Sequence, residues 1–121
     1  MEAKKTLVMG ASTDSGRYSY KAIKMLQRYG HPVVAVGRKE EDLDGLKIEK
    51  EQVMFDGVDT VTLYLNPMNQ RQYYDYIVSL APGRVIFNPG TENPELFELL
   101  KKNGIEVEVA CTLVMLSIDR Y

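Results

Sequence analysis

Short apolar runs alternate with segments of helical period along almost the whole chain, and that alternation restricts the fold more than any single residue does. Leu7 to Met9 form a first buried run that stops at Gly10. Tyr18, Ala22, Met25, Leu26 and Tyr29 then recur at helical spacing, and Gly30 supplies a left-handed stop. "PVVAVG" reads as a second strand, apolar throughout, as strands covered on both faces are. "DTVTLYLNP" is a third strand, broken by Pro67, and Asn69 caps a helix on which Tyr73, Ile77 and Leu80 share a face. "RVIFNPG" is a fourth, after which Asn93 as cap and Pro94 at the first helical position open a helix with Leu96, Leu99 and Leu100 inward. "IEVEVA" is the last strand and "CTLVMLSID" a short terminal helix. The least regular stretch, "EEDLDGLKIEKEQVMFDG", reads as a turn or short helix followed by a brief edge strand.

Strands that alternate with helices build a parallel sheet with helices on both faces and right-handed crossovers. The expected fold is therefore α/β: a single Rossmann-like, doubly wound domain over residues 1–121, with about five main parallel strands. Ligands of such sheets bind beyond the carboxyl ends of the strands, where the chain order reverses. That rule selects four segments by topology alone: "GASTDSGR", "GRK", "NPM" and "NPGTE".

Composition narrows the function classes. At 121 residues there is room for one core. A net charge of -2 gives no reason to expect nucleic acid or an anionic membrane as partner. No apolar run reaches transmembrane length, and "MEAKKTLVMG" lacks the pattern of a signal peptide, so the expected location is cytoplasmic. The one cysteine, Cys111, has no internal disulfide partner, and no Cys/His group has metal-ligand spacing.

The first loop, Gly10–Ala11–Ser12–Thr13–Asp14–Ser15–Gly16–Arg17, offers backbone N–H groups and hydroxyls beside the positive end of a helix, which suits a phosphate or pyrophosphate. Its Gly-x5-Gly spacing is neither the dinucleotide fingerprint nor a Walker loop. At the end of the second strand, where NAD-binding domains carry an acidic residue for the ribose, this chain has Gly37, Arg38 and Lys39. Two cations there favour a phosphorylated ribose, as in NADP or a 3′-phosphorylated adenosine such as coenzyme A. The bland alternative is a solvated mixed-charge turn, since Glu40, Glu41 and Asp42 follow at once.

Four segments, "GASTDSGRYSYKA", "VDTVTLYLNP", "IFNPGTENPEL" and "GIEVEVACTLVML", together resemble the small stand-alone CoA-binding domain family, which is similar to the N-terminal domain of the succinyl-CoA synthetase alpha subunit. The resemblance runs in order from about Lys5 to Leu116. It implies binding of coenzyme A or a short acyl-CoA at the carboxyl edge, by a non-catalytic carrier, sensor or regulatory module. Carried over by position, Gly10 to Ser15 would wrap the phosphate-pantetheine part, and Arg38 and Lys39 would lie beside the adenosine and its 3′-phosphate. Asn66 and Pro67, with Asn88, Pro89 and Gly90, would line the floor. Family members often read Val-Asn-Pro-Lys after the second strand, where this chain has "VGRK". Succinyl-CoA synthetase uses a phosphorylated histidine from a second domain and a beta subunit. The single histidine here, His31, falls at the opposite edge, so ligase activity is not inherited.

Further candidates have plain readings beside the functional ones. Glu92 lies at the ligand edge and reads either as a general base or, being a lone carboxylate without a partner acid, as a residue that caps or solvates the approach to the Asn93 helix, the reading favoured here. Ser12 and Thr13 lack an activating histidine. Cys111 is either a small buried apolar residue or a redox-responsive partner for the thiol of bound coenzyme A. Tyr73 is expected to pack inward, and Tyr74 to point elsewhere, toward a subunit contact. A homo-oligomer or a protein partner stays open. The alternatives to coenzyme A binding are a small NADP-binding reductase or regulatory nucleotide-binding protein, and a ligand-gated interaction module.

Overall fold

The computed structural model describes residues 2–121. In chain order the elements are β1 (Thr6–Ala11), α1 (Tyr18–Arg28), β2 (Val33–Gly37), β3 (Glu41–Leu43), β4 (Leu46–Glu49), β5 (Thr60–Leu63), α2 (Pro67–Gln70), a 3₁₀ turn (Arg71–Tyr73), α3 (Tyr74–Leu80), β6 (Arg84–Phe87), α4 (Pro94–Lys102), β7 (Glu106–Val109) and α5 (Thr112–Ser117). The strands form one sheet in the order β3-β4-β2-β1-β5-β6-β7. All neighbours run parallel except β3 against β4. The chain leaves β1 toward β2 on one side and β5 on the other, so the order reverses at β1, and a crevice opens there.

Successive side chains of a strand point to opposite faces, and the two cores follow that period. Leu7, Met9, Val61, Leu63, Val85 and Phe87 meet Ile77 and Leu80 of α3 and Leu96 and Leu100 of α4 on one face. Val8, Ala35, Ile48 and Ile86 meet Ile23 and Leu26 of α1 and Met115 and Leu116 of α5 on the other. Each such side chain, fully withdrawn from water, contributes roughly 2 kcal/mol. No helix among the described residues is long and apolar enough to cross a membrane.

Two local expectations change. The irregular stretch after β2 holds a hairpin rather than a helix: β3 and β4 pair across Asp44–Gly45, and the Asp42 carboxylate accepts the Gly45 N–H at 2.9 Å. An Asp-Gly pair flanked by alternating apolar residues is a hairpin signal, and here it adds two strands to the five expected. The helix after β5 starts earlier than expected, because the cap is Asn66 and not Asn69. The Asn66 side chain accepts from the Asn69 N–H at 2.9 Å, with Pro67 at the first position. By contrast, Asn93 caps α4 on the Leu96 N–H with Pro94 following, as the sequence indicates. Tyr73 is half-buried against the core, and the Tyr74 hydroxyl bonds within the chain, donating to Glu95 and accepting from Asn93.

His31 lies at the amino edge of the sheet, between α1 and β2, away from the crevice. It is buried, its Nδ1 accepts the Lys4 N–H at 2.9 Å, and its ring sits 4.8 Å from that of Tyr121. Tyr121 is in turn covered by the Arg84 guanidinium, 4.4 Å from its ring centroid. Burial, then the nearby charges of Lys4 and Arg84, hold the imidazole below its ordinary pKa. The unfolded chain therefore binds a proton before the folded one does, and stability is lost as pH falls below about 6.5. Urea unfolding at pH 7.5 and 5.5 checks this: His31→Gln should lose less stability between the two than the parent protein. An equal loss would assign the acid sensitivity to other groups.

Candidate functional site

The crevice at the carboxyl edge begins where β1 and β2 end almost in contact. Gly37 closes β2, and a Cβ placed on it would stand 2.5 Å from the Ala11 carbonyl oxygen and 2.9 Å from Ile48 Cγ2. On the other side of β1, a Cβ on Gly10 would come within 3.0 Å of the Tyr64 carbonyl oxygen, and Gly10 has a φ of +86°. The loops after β1, β2 and β5 are thus drawn together by the two strand ends that carry no side chain.

Between them lies a cleft of about 590 Å³. Gly10, Ala11, Ser12 and Arg17 from the first loop line it, with Arg38 and Lys39 from the end of β2 and Asn66 from the loop after β5. Glu41, Tyr64, Leu65 and Asn69 complete it. A second cleft of about 410 Å³ continues from it, sharing Gly10, Arg17, Tyr64, Leu65 and Asn66, and reaches Gly16, Pro89 and Gly90. A third, of about 250 Å³, shares Tyr18, Tyr64 and Pro89 with the second and ends at Asn88, Cys111 and Leu113. Together they make one groove across the sheet edge, from the cations after β2 to the start of α5. Thr13, Asp14, Ser15 and Pro67 lie beside this groove without lining it, and Gly37 lies beneath it.

The first loop spends several of its amides on itself. The Ser12 hydroxyl accepts from the Asp14 N–H at 3.0 Å, and the Asp14 carboxylate from the Gly16 N–H at 2.9 Å. The Thr13 N–H and hydroxyl both donate to Glu41, whose carboxylate also pairs with Lys39 at 3.5 Å. The Thr13 hydroxyl, and next the charge of Lys39, hold Glu41 below the usual carboxylate range, so an anion already stands beside the loop at neutral pH. Arg38 and Lys39 are both exposed at this end of the groove.

The open donors are one step further along. The first residue flanking α1, Arg17, gives no side-chain cap to this 11-residue helix, and Arg17, Tyr18 and Ser19 at its start all line the second cleft. Ser19 lines the same cleft, is 2% exposed, and its buried hydroxyl has no hydrogen-bond partner among the described residues. Such an orphan is uncommon in a folded protein.

Asn88 behaves differently from its neighbours. Its amide donates to Thr62 Oγ1 at 2.7 Å and to the Leu63 carbonyl at 2.9 Å, and its oxygen accepts the Thr112 N–H at 2.8 Å. It shapes the third cleft with a satisfied side chain. Glu92 accepts the Gly90 N–H at 2.9 Å and so braces the turn before α4. Sequence reasoning missed Ser19, Glu41, Tyr64, Leu65 and Leu113. Tyr64 and Leu65 were within reach of it, since β5 ends at Leu63 and both lie in the loop that topology selects. Nothing in the linear pattern singles out Ser19 or Leu113.

A family model described as a CoA binding domain matches residues 4–117. A crystal structure of an uncharacterized protein is 52% identical over 100% of both chains, with a TM-score of 0.97. A structure from Thermus thermophilus is 26% identical and covers 98% of this chain and 91% of its own, with a TM-score of 0.86. The dinucleotide forming acetyl-coenzyme A synthetase 1 of Ca. Korarchaeum cryptofilum, in complex with phosphate and ADP, is similar in fold. It is 21% identical over 86% of this chain and 25% of that one, with a TM-score of 0.70. No curated protein matches the chain.

The contact beneath the groove is directly testable. Gly37→Ala drives a methyl group into the backbone of Ala11, and overpacking of this kind costs about 1–3 kcal/mol. A lowered urea midpoint with an unchanged slope is the expected result.

Proposed function

The chain belongs to the CoA binding domain family, and from that premise we propose that its groove binds coenzyme A, or a short acyl-CoA, without chemistry of its own. The observation that carries this reading is the sequence of functional groups along one continuous groove. Cations stand at one end, uncapped helix amides with an orphan hydroxyl in the middle, and an apolar chamber at the other end. Coenzyme A has the same order: a 3′-phosphorylated nucleoside, a diphosphate, then a pantetheine arm ending in sulfur.

In this pose Arg38 and Lys39, with Arg17 lining the same cleft, attract the phosphorylated ribose. The diphosphate sits at the amino end of α1, where the helix dipole and the free N–H groups favour an anion, and the Ser19 hydroxyl donates to one of its oxygens. This places the diphosphate between the Gly10–Ser15 turn and the helix that follows, since the Thr13 and Asp14 amides of the turn are engaged. The pantetheine arm runs over Gly10, Leu65 and Pro89 toward the chamber. The role this supports is that of a carrier, sensor or regulatory module. Glu92 is committed to a backbone amide, and the groove offers no pair of acid and base positioned to share a proton.

Thermal unfolding with coenzyme A, dephospho-CoA, NADP and NAD tests the reading. At a hundred times its dissociation constant, coenzyme A should stabilise the native state by about 2.7 kcal/mol, a shift of several degrees. A response to NADP without one to coenzyme A overturns the proposal in favour of a nicotinamide-linked protein. Arg38→Ala with Lys39→Ala should narrow the preference for coenzyme A over dephospho-CoA in calorimetric titration. An unchanged ratio would place the 3′-phosphate elsewhere.

A further inference from the structure

The far end of the groove carries information about what is attached to the sulfur. The chamber of about 250 Å³ is lined by Tyr18, Tyr64, Asn88, Pro89, Cys111 and Leu113. Asn88 is the one amide among them, and its donor and acceptor atoms are consumed by Thr62, Leu63 and Thr112. Tyr64 lines the space too, and its hydroxyl is buried near Thr112 and Thr62 without a hydrogen-bond partner among the described residues; burial pushes that group up to about 12, so it stays neutral. No charged side chain among the described residues lines this space. Tyr18 also lines the space and is 67% exposed, with the Lys21 ammonium 5.2 Å from its ring centroid.

Resting on the reading of the groove as a coenzyme A site, we infer that this chamber holds the acyl group of a thioester, and that the group is a short, unsubstituted chain. A free thiol would leave most of the chamber's apolar wall wet. At roughly 30 Å³ per heavy atom the volume takes about eight such atoms. With the thioester sulfur and carbonyl among them, that leaves an acyl chain of about four to six carbons. An aliphatic chain of this length removes the Tyr18 ring, Leu113 and the Cys111 side chain from water. A dicarboxylic acyl group such as succinyl would bring a carboxylate into a space whose lining holds no charged side chain among the described residues and only the buried Tyr64 hydroxyl as an unpartnered donor, at a large desolvation cost. Longer chains exceed the volume and must leave through the rim.

Calorimetric titration of the whole protein with coenzyme A and with its acetyl, butyryl, hexanoyl, succinyl and palmitoyl thioesters decides this. Affinity should rise by roughly fourfold per buried methylene from acetyl toward hexanoyl. Hexanoyl-CoA should bind at least about tenfold more tightly than coenzyme A, and succinyl-CoA no more tightly than coenzyme A. Leu113→Trp and, separately, Cys111→Leu fill the chamber and should bring the hexanoyl-to-CoA ratio toward one, with circular dichroism checking that each variant is folded. Equal affinities across the series, with coenzyme A still bound, overturn the acyl assignment and leave the groove's reading intact. A full hexanoyl preference in both folded variants also overturns it, by placing the chain elsewhere. Absence of coenzyme A binding removes the reading of the groove and this inference with it.

Discussion

Asn88 holds the carboxyl edge of the sheet together. A single side-chain amide joins three segments: Thr62 and Leu63 at the end of β5, the end of β6 where it stands, and the Thr112 N–H at the start of α5. The Thr62 and Thr112 hydroxyls also bond each other at 2.8 Å. Deep in the protein these bonds are strong, and leaving any one partner unpaired is costly, so the arrangement is close to all-or-none. It sets the angle at which α5 departs. With that angle it sets the positions of Cys111 and Leu113, and so the chamber.

On the other side of β1 the constraint is steric instead of polar. Gly37 and Gly10 let three strand ends approach more closely than side chains would permit. The basic pair after β2 is thereby brought opposite Arg17 and the loop after β5. The groove thus exists between two kinds of anchor, a hydrogen-bonded one at the α5 end and a close backbone contact at the cation end. The floor between them is the uncapped start of α1. Donors are available there because the preceding turn satisfies itself and leaves the helix exposed.

The lone histidine and the chain's opposite edge show a complementary economy. His31, Tyr121, Arg84 and Thr6 pack tightly where no ligand is expected: the Thr6 and Tyr121 hydroxyls bond each other and the Arg84 guanidinium covers the Tyr121 ring, while its buried Nη2 has no hydrogen-bond partner among the described residues. The amino edge is closed by such contacts. At the carboxyl edge the Ser19 and Tyr64 hydroxyls are likewise buried without a partner among the described residues.

Much of the fold was legible because it rests on local rules. Hydrophobic period separates strand from helix, Asn93 with Pro94 announces a helix start, and the alternation of elements implies a parallel sheet whose ligand edge can be named. The cations after β2 were legible in the same way, by position. What local rules misjudged was also local: the Asp44–Gly45 hairpin and the cap at Asn66, both signalled by turn chemistry that was outweighed by reading period first. The tertiary structure alone decided which polar groups are free. Asn88 looks like a floor residue in sequence, but it is consumed by partners about 25 residues away on either side. Ser19 has no distinguishing mark in sequence yet carries an orphan hydroxyl, while the chamber is assembled from Tyr18, Tyr64, Pro89 and Leu113. Period and capping depend on neighbours along the chain, whereas satisfaction and enclosure depend on groups that only folding brings together.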